Sequence, residues 1–176
     1  MELIDIGCNL THDSFDHDRA EVIEAANSAG VAQMIVTGAS AEGSLKAVEL
    51  AKTWPGQLFA TAGVHPHHAS AYVDETDTLL RKLAVQGEIV AVGETGLDYF
   101  RDISPRDTQR QAFEQQIQIA IDTDLPLFLH QRDAHDDFFA LLGRYRDQLN
   151  EVVVHCFTGT LEEANDFLKR GLLVSI

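Results

Sequence analysis

The sequence has few cysteines and few basic residues, and each shortage excludes a class of protein. Cys8 and Cys156 are the two cysteines, and they lie far apart without a CxxC partner. This argues against a disulfide scaffold or a structural zinc knuckle, and we interpret both as reduced, half-buried thiols. Thirteen basic residues face 28 acidic ones, which gives a net charge of −15. That negative charge argues against a protein that binds nucleic acid through a broad basic face. It does not exclude a small phosphate-binding site in which a metal ion supplies the positive charge.

The chain also lacks long apolar runs. No apolar stretch approaches the length that spans a bilayer. The first residues, MELIDIGCNL, have no basic region and carry Asp5 within the apolar run, so we expect no signal peptide. We therefore expect a cytoplasmic protein without a membrane partner. A length of 176 residues suits one domain with a sizeable core.

What the chain does contain is one repeated unit, an apolar strand followed by a segment with helical spacing. The predicted strands are 2–7, 32–38, 58–65, 88–94, 125–130 and 151–157, with a seventh at 172–176. The predicted helices are 19–30, 45–54, 78–87, 105–124, 134–149 and 161–171. Alternation of this kind, without tight hairpin signals, indicates a parallel sheet with helices packed outside it.

The loop after the first strand decides between two parallel folds. A doubly wound nucleotide-binding sheet usually has a glycine-rich loop there, whereas this loop reads GCNLTH. We therefore predict an α/β fold of the TIM-type (β/α)8 barrel. Eight units need about 250 residues, and this chain has six units and one further strand. Residues 1–176 are expected to form a single domain, the N-terminal part of such a barrel, and its open sheet edge would favour self-association.

Titratable residues stand at the ends of adjacent predicted strands. Glu94 ends the fourth strand, His130 the fifth and His155 the sixth. Each alone is more often a packed or solvated side chain, but the carboxyl ends of parallel barrel strands share the face that carries the active site. Two imidazoles and a carboxylate that converge there predict a metal site. A cation would also explain why a carboxylate ends a buried strand.

Other residues near this face have competing interpretations. His65 and His67 could donate to a phosphate, although His67 is expected to face solvent. Arg132 could neutralise a phosphate or form an ion pair with a neighbouring aspartate. Tyr99 and Phe100 could stack a nucleobase or pack on the barrel rim.

Five motifs in order, GCNLTH, TAGVHPHH, GETGLDYF, LHQRDAH and VVHCFTG, carry a resemblance to a known family. They resemble the TatD branch of the TatD-like metal-dependent deoxyribonucleases over essentially all 176 residues. The resemblance implies a (β/α)8 barrel of the metal-dependent hydrolase class. It also implies divalent-metal-dependent hydrolysis, and several family members are exonucleases that degrade DNA from the 3′ end.

The resemblance also assigns residues. Glu94, His130 and His155 match the family's metal ligands, and His65 matches an active-site histidine associated with substrate handling. Many relatives have His-x-His after the first strand, where this chain has Gly7 and Asn9, which suggests one strong metal site. The family's last catalytic Asp belongs to the eighth strand, and this chain ends before it.

The expected function is hydrolysis of phosphodiester bonds by a metal-activated water, with His65, Glu94 and Arg132 as catalytic residues. Mg²⁺ is the first expectation for the metal, with Mn²⁺ and Zn²⁺ as alternatives, and single-stranded DNA or its 3′ ends are the expected substrate. Without the eighth-strand Asp, these 176 residues alone should show weak activity or none. Two other functions stay open. One is amide or ester hydrolysis by a barrel of the same class, and the other is a non-catalytic fragment that binds a metal or a partner chain.

Overall fold

The computed structural model describes residues 2–175, in which parallel strands and α-helices alternate. The strands are β1 (Leu3–Cys8), β2 (Val31–Val36), β3 (Leu58–Ala62), β4 (Ile89–Asp98), β5 (Leu127–Arg132), β6 (Val152–Val154) and β7 (Leu173–Val174). The α-helices are α1 (Arg19–Ser28), α2 (Ala41–Thr53), α3 (Asp74–Ala84), α4 (Arg106–Thr123), α5 (His135–Leu142) and α6 (Leu161–Lys169). Short 3₁₀ helices cover Asp13–Phe15, Pro66–Ala71 and Arg146–Gln148.

The seven strands form one parallel sheet in sequence order, β1 to β7, which curls as part of a barrel. The predicted fold class is therefore confirmed, with six strand–helix units and a seventh strand. Several boundaries differ from the prediction. Among them, β4 continues past Glu94 to Asp98 and α5 ends at Leu142. Ile176, which was predicted within the last strand, lies outside the described residues. None of the helices within residues 2–175 combines the length and apolarity that crossing a membrane requires.

The sheet is open at both edges. Within the described part of the chain, β1 pairs only with β2, and β7 only with β6. Apolar side chains on these edges are exposed, with Leu3 at 46%, Ile4 at 57% and Leu173 at 53% of their full exposure. The expectation of an open edge with wet apolar surface is confirmed.

Local signals in the sequence mark the ends of the helices. Gly30 follows α1 with φ 99°, a left-handed conformation that glycine adopts without a Cβ penalty. Pro105 immediately precedes α4. Thr160 and Glu163 form a capping box at the start of α6, because each side chain accepts a hydrogen bond from the other's backbone N–H.

The later helices pack through aromatic side chains that are fully buried. The rings of Phe113 and Phe138 are 5.5 Å apart, and those of Phe138 and Phe167 are 5.8 Å apart. These contacts join α4, α5 and α6 to one apolar core outside the sheet. The helices thereby hold β4, β5 and β6, the strands that carry the predicted ligands, in a fixed register.

The two thiols occupy different environments. The Cys8 side chain is half-buried and donates to the Ile35 carbonyl over 3.3 Å, as the prediction of a half-buried thiol requires. Burial, with the nearby charge of Asp5, raises the pKa of the Cys8 thiol to about 12. Cys156 is free but exposed, so the half-buried interpretation was wrong for this residue.

Candidate metal centre and active site

Glu94 lies at a β-bulge. Gly93 pairs with Phe128 of β5 and Thr95 pairs with Leu129, so Glu94 is the extra residue on β4. A bulge bends its strand and changes the direction of a side chain, and bulges are common beside active sites. The bulge is the local reason why a carboxylate in an apolar strand points towards the carboxyl-end face of the sheet.

The two glycines of the GETG motif allow β5 to approach this bulge. Gly93 has φ 148° and Gly96 has φ 137°, which are conformations that other residues rarely adopt. A Cβ on Gly93 would lie 2.1 Å from the Phe128 carbonyl oxygen, and a Cβ on Gly96 would lie 1.9 Å from the His130 carbonyl oxygen. Both positions therefore require glycine for the strands to pair.

Glu94 meets two imidazoles, those of His65 and His130. One ligand atom from each of the three residues lies within 4.8 Å of the others. Glu94 Oε1 is 3.5 Å from His130 Nδ1, and the rings of His65 and His130 are 4.5 Å apart. Burial raises the pKa of Glu94, but the adjacent His130 imidazole and the other neighbouring imidazoles more than offset it, so the pKa lies below its usual value. Glu94 is therefore an ionised carboxylate.

A second carboxylate, Asp98, lies completely buried at the end of β4. Its Oδ1 accepts from the backbone N–H groups of Phe100 (3.1 Å) and Arg101 (2.8 Å). Its Oδ2 accepts from Nε2 of His67 (2.9 Å) and Nε2 of His130 (3.1 Å). Burial raises the pKa of Asp98, but the Arg101 amide and the two imidazoles lower it to about 2. Asp98 is thus an anion that can only accept hydrogen bonds.

Sequence reasoning gave Asp98 no role, and it wrongly placed His67 in solvent. His67 is largely buried, with 22% of its side chain exposed, and it binds Asp98. Side chains two and four positions apart share one face of a strand. Had β4 been extended beyond Glu94, this alternation would have placed Asp98 on the same face as Glu94.

The hydrogen bond to Asp98 constrains which nitrogen of His130 carries a proton. Because ionised Asp98 can only accept, His130 must donate through Nε2. The lone pair is then on Nδ1, the atom 3.5 Å from Glu94. Histidine ligands are usually oriented in this way, by a carboxylate bound to the nitrogen that does not face the metal.

The hydrogen bonding of His65 also fixes which ring nitrogen carries the proton, but here an N–H rather than a lone pair faces the site. Its Nδ1 accepts the backbone N–H of His67 over 3.2 Å. Burial lowers the pKa of His65 to about 3, so the ring is neutral and its proton resides on Nε2. His65 therefore presents an N–H donor to the site. Although it lies within the geometric cluster, its protonation suits contact with a substrate oxygen better than metal ligation.

His155, the third predicted ligand, lies above β1. A Cβ on Gly7 would lie 2.5 Å from Cε1 of the His155 ring, so this ring requires glycine beneath it. His155 Nδ1 is 3.3 Å from Ser175 Oγ, and within residues 2–175 its Nε2 makes no hydrogen bond. Burial lowers the pKa of His155, which keeps the imidazole neutral. It lies outside the group formed by His65, Glu94 and His130, so its assignment as a ligand stays a prediction.

Arg132 and the two loop aromatics end beside this cluster. Arg132 forms neither of the predicted aspartate ion pairs within residues 2–175, and its guanidinium lies 4.1 Å above the ring of Phe100. Tyr99 packs on the rim, where its hydroxyl donates to Asp137 over 2.6 Å. Phe100 is 59% exposed. Rim packing therefore describes Tyr99 but not Phe100.

The residues present fit a divalent cation. Glu94 supplies an ionised carboxylate, His130 a lone pair on Nδ1, and His155 a neutral imidazole with an unbonded Nε2. Carboxylate and neutral imidazole are common ligands of Zn²⁺, and carboxylate also suits Mg²⁺ and Mn²⁺. The second carboxylate, Asp98, supports the ligand set from behind.

Comparison with known proteins is consistent with this geometry. A "3'-5' ssDNA/RNA exonuclease TatD" from Cronobacter sakazakii is 48% identical over 174 residues, which cover 99% of this chain and 66% of that protein. The crystal structure of YJJV, a TatD homologue from Escherichia coli K12, superposes with a TM-score of 0.89 at 31% identity, covering 98% of this chain and 66% of that one. A TatD family hydrolase from Entamoeba histolytica gives a TM-score of 0.88 at 30% identity, covering 99% of this chain and 64% of that one.

The chain thus spans about two-thirds of the length of the curated relatives it matches. The family described as "TatD related DNase" matches residues 4–176, which include every motif and every site residue discussed above. The chain belongs to the TatD related DNase family.

Proposed function

We propose that these residues build the metal-binding part of a cytoplasmic hydrolase of phosphodiester bonds, one that removes nucleotides from the 3′ end of single-stranded DNA. The observation that carries the proposal is the contact of His130 with buried Asp98 on one side and with Glu94 on the other. It presents a carboxylate and an oriented imidazole lone pair at the carboxyl ends of the strands. The name of the Cronobacter sakazakii relative supports the substrate class. Membership of the TatD related DNase family supports the reaction.

We assign Glu94, His130 and His155 as the residues that would hold the cation. When bound, a divalent cation polarises a phosphoryl oxygen and lowers the pKa of a coordinated water. We propose Mg²⁺ as the ion, with Mn²⁺ and Zn²⁺ as alternatives, and we expect Zn²⁺ to bind more tightly because imidazole suits it better.

The remaining residues act directly on the phosphate. His65 donates its Nε2–H to a phosphate oxygen, and its low pKa keeps it a neutral donor across the physiological range. Arg132 supplies a charge-assisted contact to the same or the next phosphate. Because the whole chain carries −15, attraction for phosphate must come from these local donors rather than from the overall field.

The test uses a full-length form that contains these residues, because residues 1–176 alone are expected to show weak activity or none. It follows the shortening of single-stranded DNA labelled at its 5′ end, in the presence of Mg²⁺, Mn²⁺ or Zn²⁺. A stepwise ladder of shorter labelled products is expected, since hydrolysis begins at the unlabelled 3′ end. His130→Ala should abolish the ladder while circular dichroism shows a retained fold. His17→Ala is the matched control, because this histidine is 78% exposed and lies outside the cluster.

The same assay separates the alternatives. Hydrolysis of ester or amide substrates without shortening of DNA would favour the other hydrolase activity. Metal binding without turnover on any substrate would favour a non-catalytic role for these residues. Full turnover by folded His130→Ala would remove the ligand assignment itself.

A further inference from the structure

Arg132 lies on β5 just beyond the candidate ligand His130, towards the carboxyl end of the strand. It is the last residue of β5 and pairs in register with Asp98, the last residue of β4. His130 lies two residues earlier on the same face of β5, so Arg132 is about 7 Å farther out along the strand. A group bound at Arg132 is therefore the immediate neighbour of a group bound at His130.

The guanidinium of Arg132 has no polar partner in the described part of the chain. It makes neither an ion pair nor a hydrogen bond there, although acidic residues outnumber basic ones by 28 to 13. On the same rim, Arg106 pairs with Asp102 and Arg110 pairs with Asp137. The guanidinium carbon of Arg132 instead lies 4.1 Å from the centroid of the Phe100 ring, and its N–H donors are open to a ligand from outside.

In the pair formed by Arg132 and Phe100, the Phe100 side chain provides the exposed apolar surface. Its ring is covered on one side by Arg132 and is nevertheless 59% exposed, so the exposure belongs to its other face and edge. An exposed aromatic ring with one face stacked on a guanidinium offers a flat surface of the size of a nucleobase. Ile103, 62% exposed on the same loop, extends the apolar surface.

The loop that carries Phe100 is already ordered. Its backbone N–H binds Asp98, the carboxylate that also binds His130. The buried side chain of Gln109 donates to the carbonyl oxygens of both Asp98 and Ser104, which closes the loop from the other side. A surface that is ordered before binding loses little conformational entropy when it takes a ligand.

We propose that Phe100 and Arg132 form a nucleobase subsite, in which a base stacks on the free face of Phe100 and Arg132 hydrogen-bonds the phosphate attached to it. The inference rests on the proposed function, because it places the base next to the phosphate held at His130. A single ring with one stacked cation is too small for a protein partner but matches one nucleotide. The subsite makes this protein select nucleic acid over phosphodiesters that lack a base.

The test measures binding without turnover. Fluorescence anisotropy of a short 5′-fluorescein oligothymidylate, in EDTA, reports affinity independently of metal and hydrolysis. Phe100→Ala should weaken binding at least about fivefold, since stacking on an aromatic side chain contributes that much per base. Phe100→Tyr should restore binding, whereas Phe100→Leu should not, because leucine keeps apolar surface but has no aromatic face. Val85→Ala is the control, since Val85 is 77% exposed at the opposite end of the strands.

An oligonucleotide with abasic residues at its 3′ end completes a double comparison. Removal of the bases should weaken binding to the wild-type protein by the same factor as the Phe100→Ala substitution weakens binding of the intact strand. The Phe100→Ala variant should bind the abasic and the intact strands with equal affinity. Arg132→Lys should weaken binding of both strands, because it keeps the charge but removes the planar donor group.

The outcomes separate this subsite from the nuclease proposal. Equal affinity of wild-type protein and Phe100→Ala, beside normal nucleotide release, overturns the subsite and leaves the nuclease. Weakened binding by Phe100→Ala, without nucleotide release by any form, supports the subsite and overturns the nuclease. A wild-type protein that binds no oligonucleotide overturns the subsite, and failure to release nucleotides in the presence of divalent cations overturns the nuclease.

Discussion

Asp98→Asn tests the central claim that one buried carboxylate orients the site. Asparagine keeps the shape but replaces one acceptor oxygen with an NH₂ donor. Its oxygen must stay on the backbone N–H groups of Phe100 and Arg101, because these cannot accept. The NH₂ then faces the Nε2–H groups of His67 and His130, so donor opposes donor. Each imidazole can accept only by moving its proton to Nδ1.

For His130 that move places a proton where the metal lone pair should be, towards Glu94. Loss of such an outer-shell carboxylate typically lowers metal affinity about 10- to 100-fold. Hydrogen bonds to a charged group contribute about 1.5–3 kcal/mol each, so loss of two imidazole contacts should reduce the free energy of unfolding by about 2–4 kcal/mol after partial relaxation.

Urea unfolding measures the second effect, and calorimetric titration with Mn²⁺ measures the first. Asp102→Asn is the matched control, because Asp102 lies on the same loop but forms only an exposed ion pair with Arg106. Such a pair contributes about 0–1 kcal/mol. If Asp98→Asn unfolds like the control and binds Mn²⁺ like the wild type, Asp98 does not orient His130 and the assigned proton positions are wrong.

Three further outcomes follow from the same structure. Gly96→Ala should reduce the free energy of unfolding by more than about 3 kcal/mol in urea titration. The new Cβ would lie 1.9 Å from a carbonyl oxygen of β5, and residue 96 has φ 137°. A change below about 1 kcal/mol would contradict the strand pairing. In thiol labelling followed by mass spectrometry near pH ~8, Cys156 should react quickly and Cys8 slowly. A pKa raised to about 12 leaves the Cys8 thiol almost entirely protonated. Equal labelling rates would show that Cys8 is not buried as described. Sedimentation of the 176-residue chain should show concentration-dependent association through the exposed edges, and Ile4→Lys together with Leu173→Lys should reduce it; association unchanged by both substitutions would place the contact elsewhere.

The fold could be predicted from the sequence because two periodicities alternate without ambiguity. Buried parallel strands read as short apolar runs, and helices such as α3 place apolar residues at helical spacing. The ends were less certain. α5 was extended to residue 149, whereas the helix ends at Leu142 and the chain continues through a turn and a short 3₁₀ helix. Apolar and polar residues alternate similarly through both segments, so periodicity alone could not locate that end.

The site was predicted in outline but not in its connections. Glu94, His130 and His155 were predicted as ligands, with His65 on the same face, because strand ends in a parallel sheet meet there. The structure instead clusters His65 with Glu94 and His130, and the ligand role of His155 stays a prediction. Asp98 and His67 could not be grouped with them, since the bulge at Glu94 looks in sequence like the end of a strand, and the alternation that continues to Asp98 was lost there. The proton positions on His65 and His130 depend on contacts between residues 32 or more positions apart or across a loop, which one sequence does not contain.

The hydrogen bonds of Asp98 explain how β4, a strand whose other side chains mostly belong to the apolar core, can carry a cluster of titratable residues. Asp98 joins the proposed ligand His130, the neighbouring His67 and the backbone of the loop that carries Phe100. A displacement of the loop therefore disturbs the imidazole, and a change at the imidazole disturbs the loop. We therefore expect substrate binding at the rim and the orientation of His130 to be coupled through a single ionised group. The completely buried position of Asp98 makes that coupling strong, because no water competes for its oxygens.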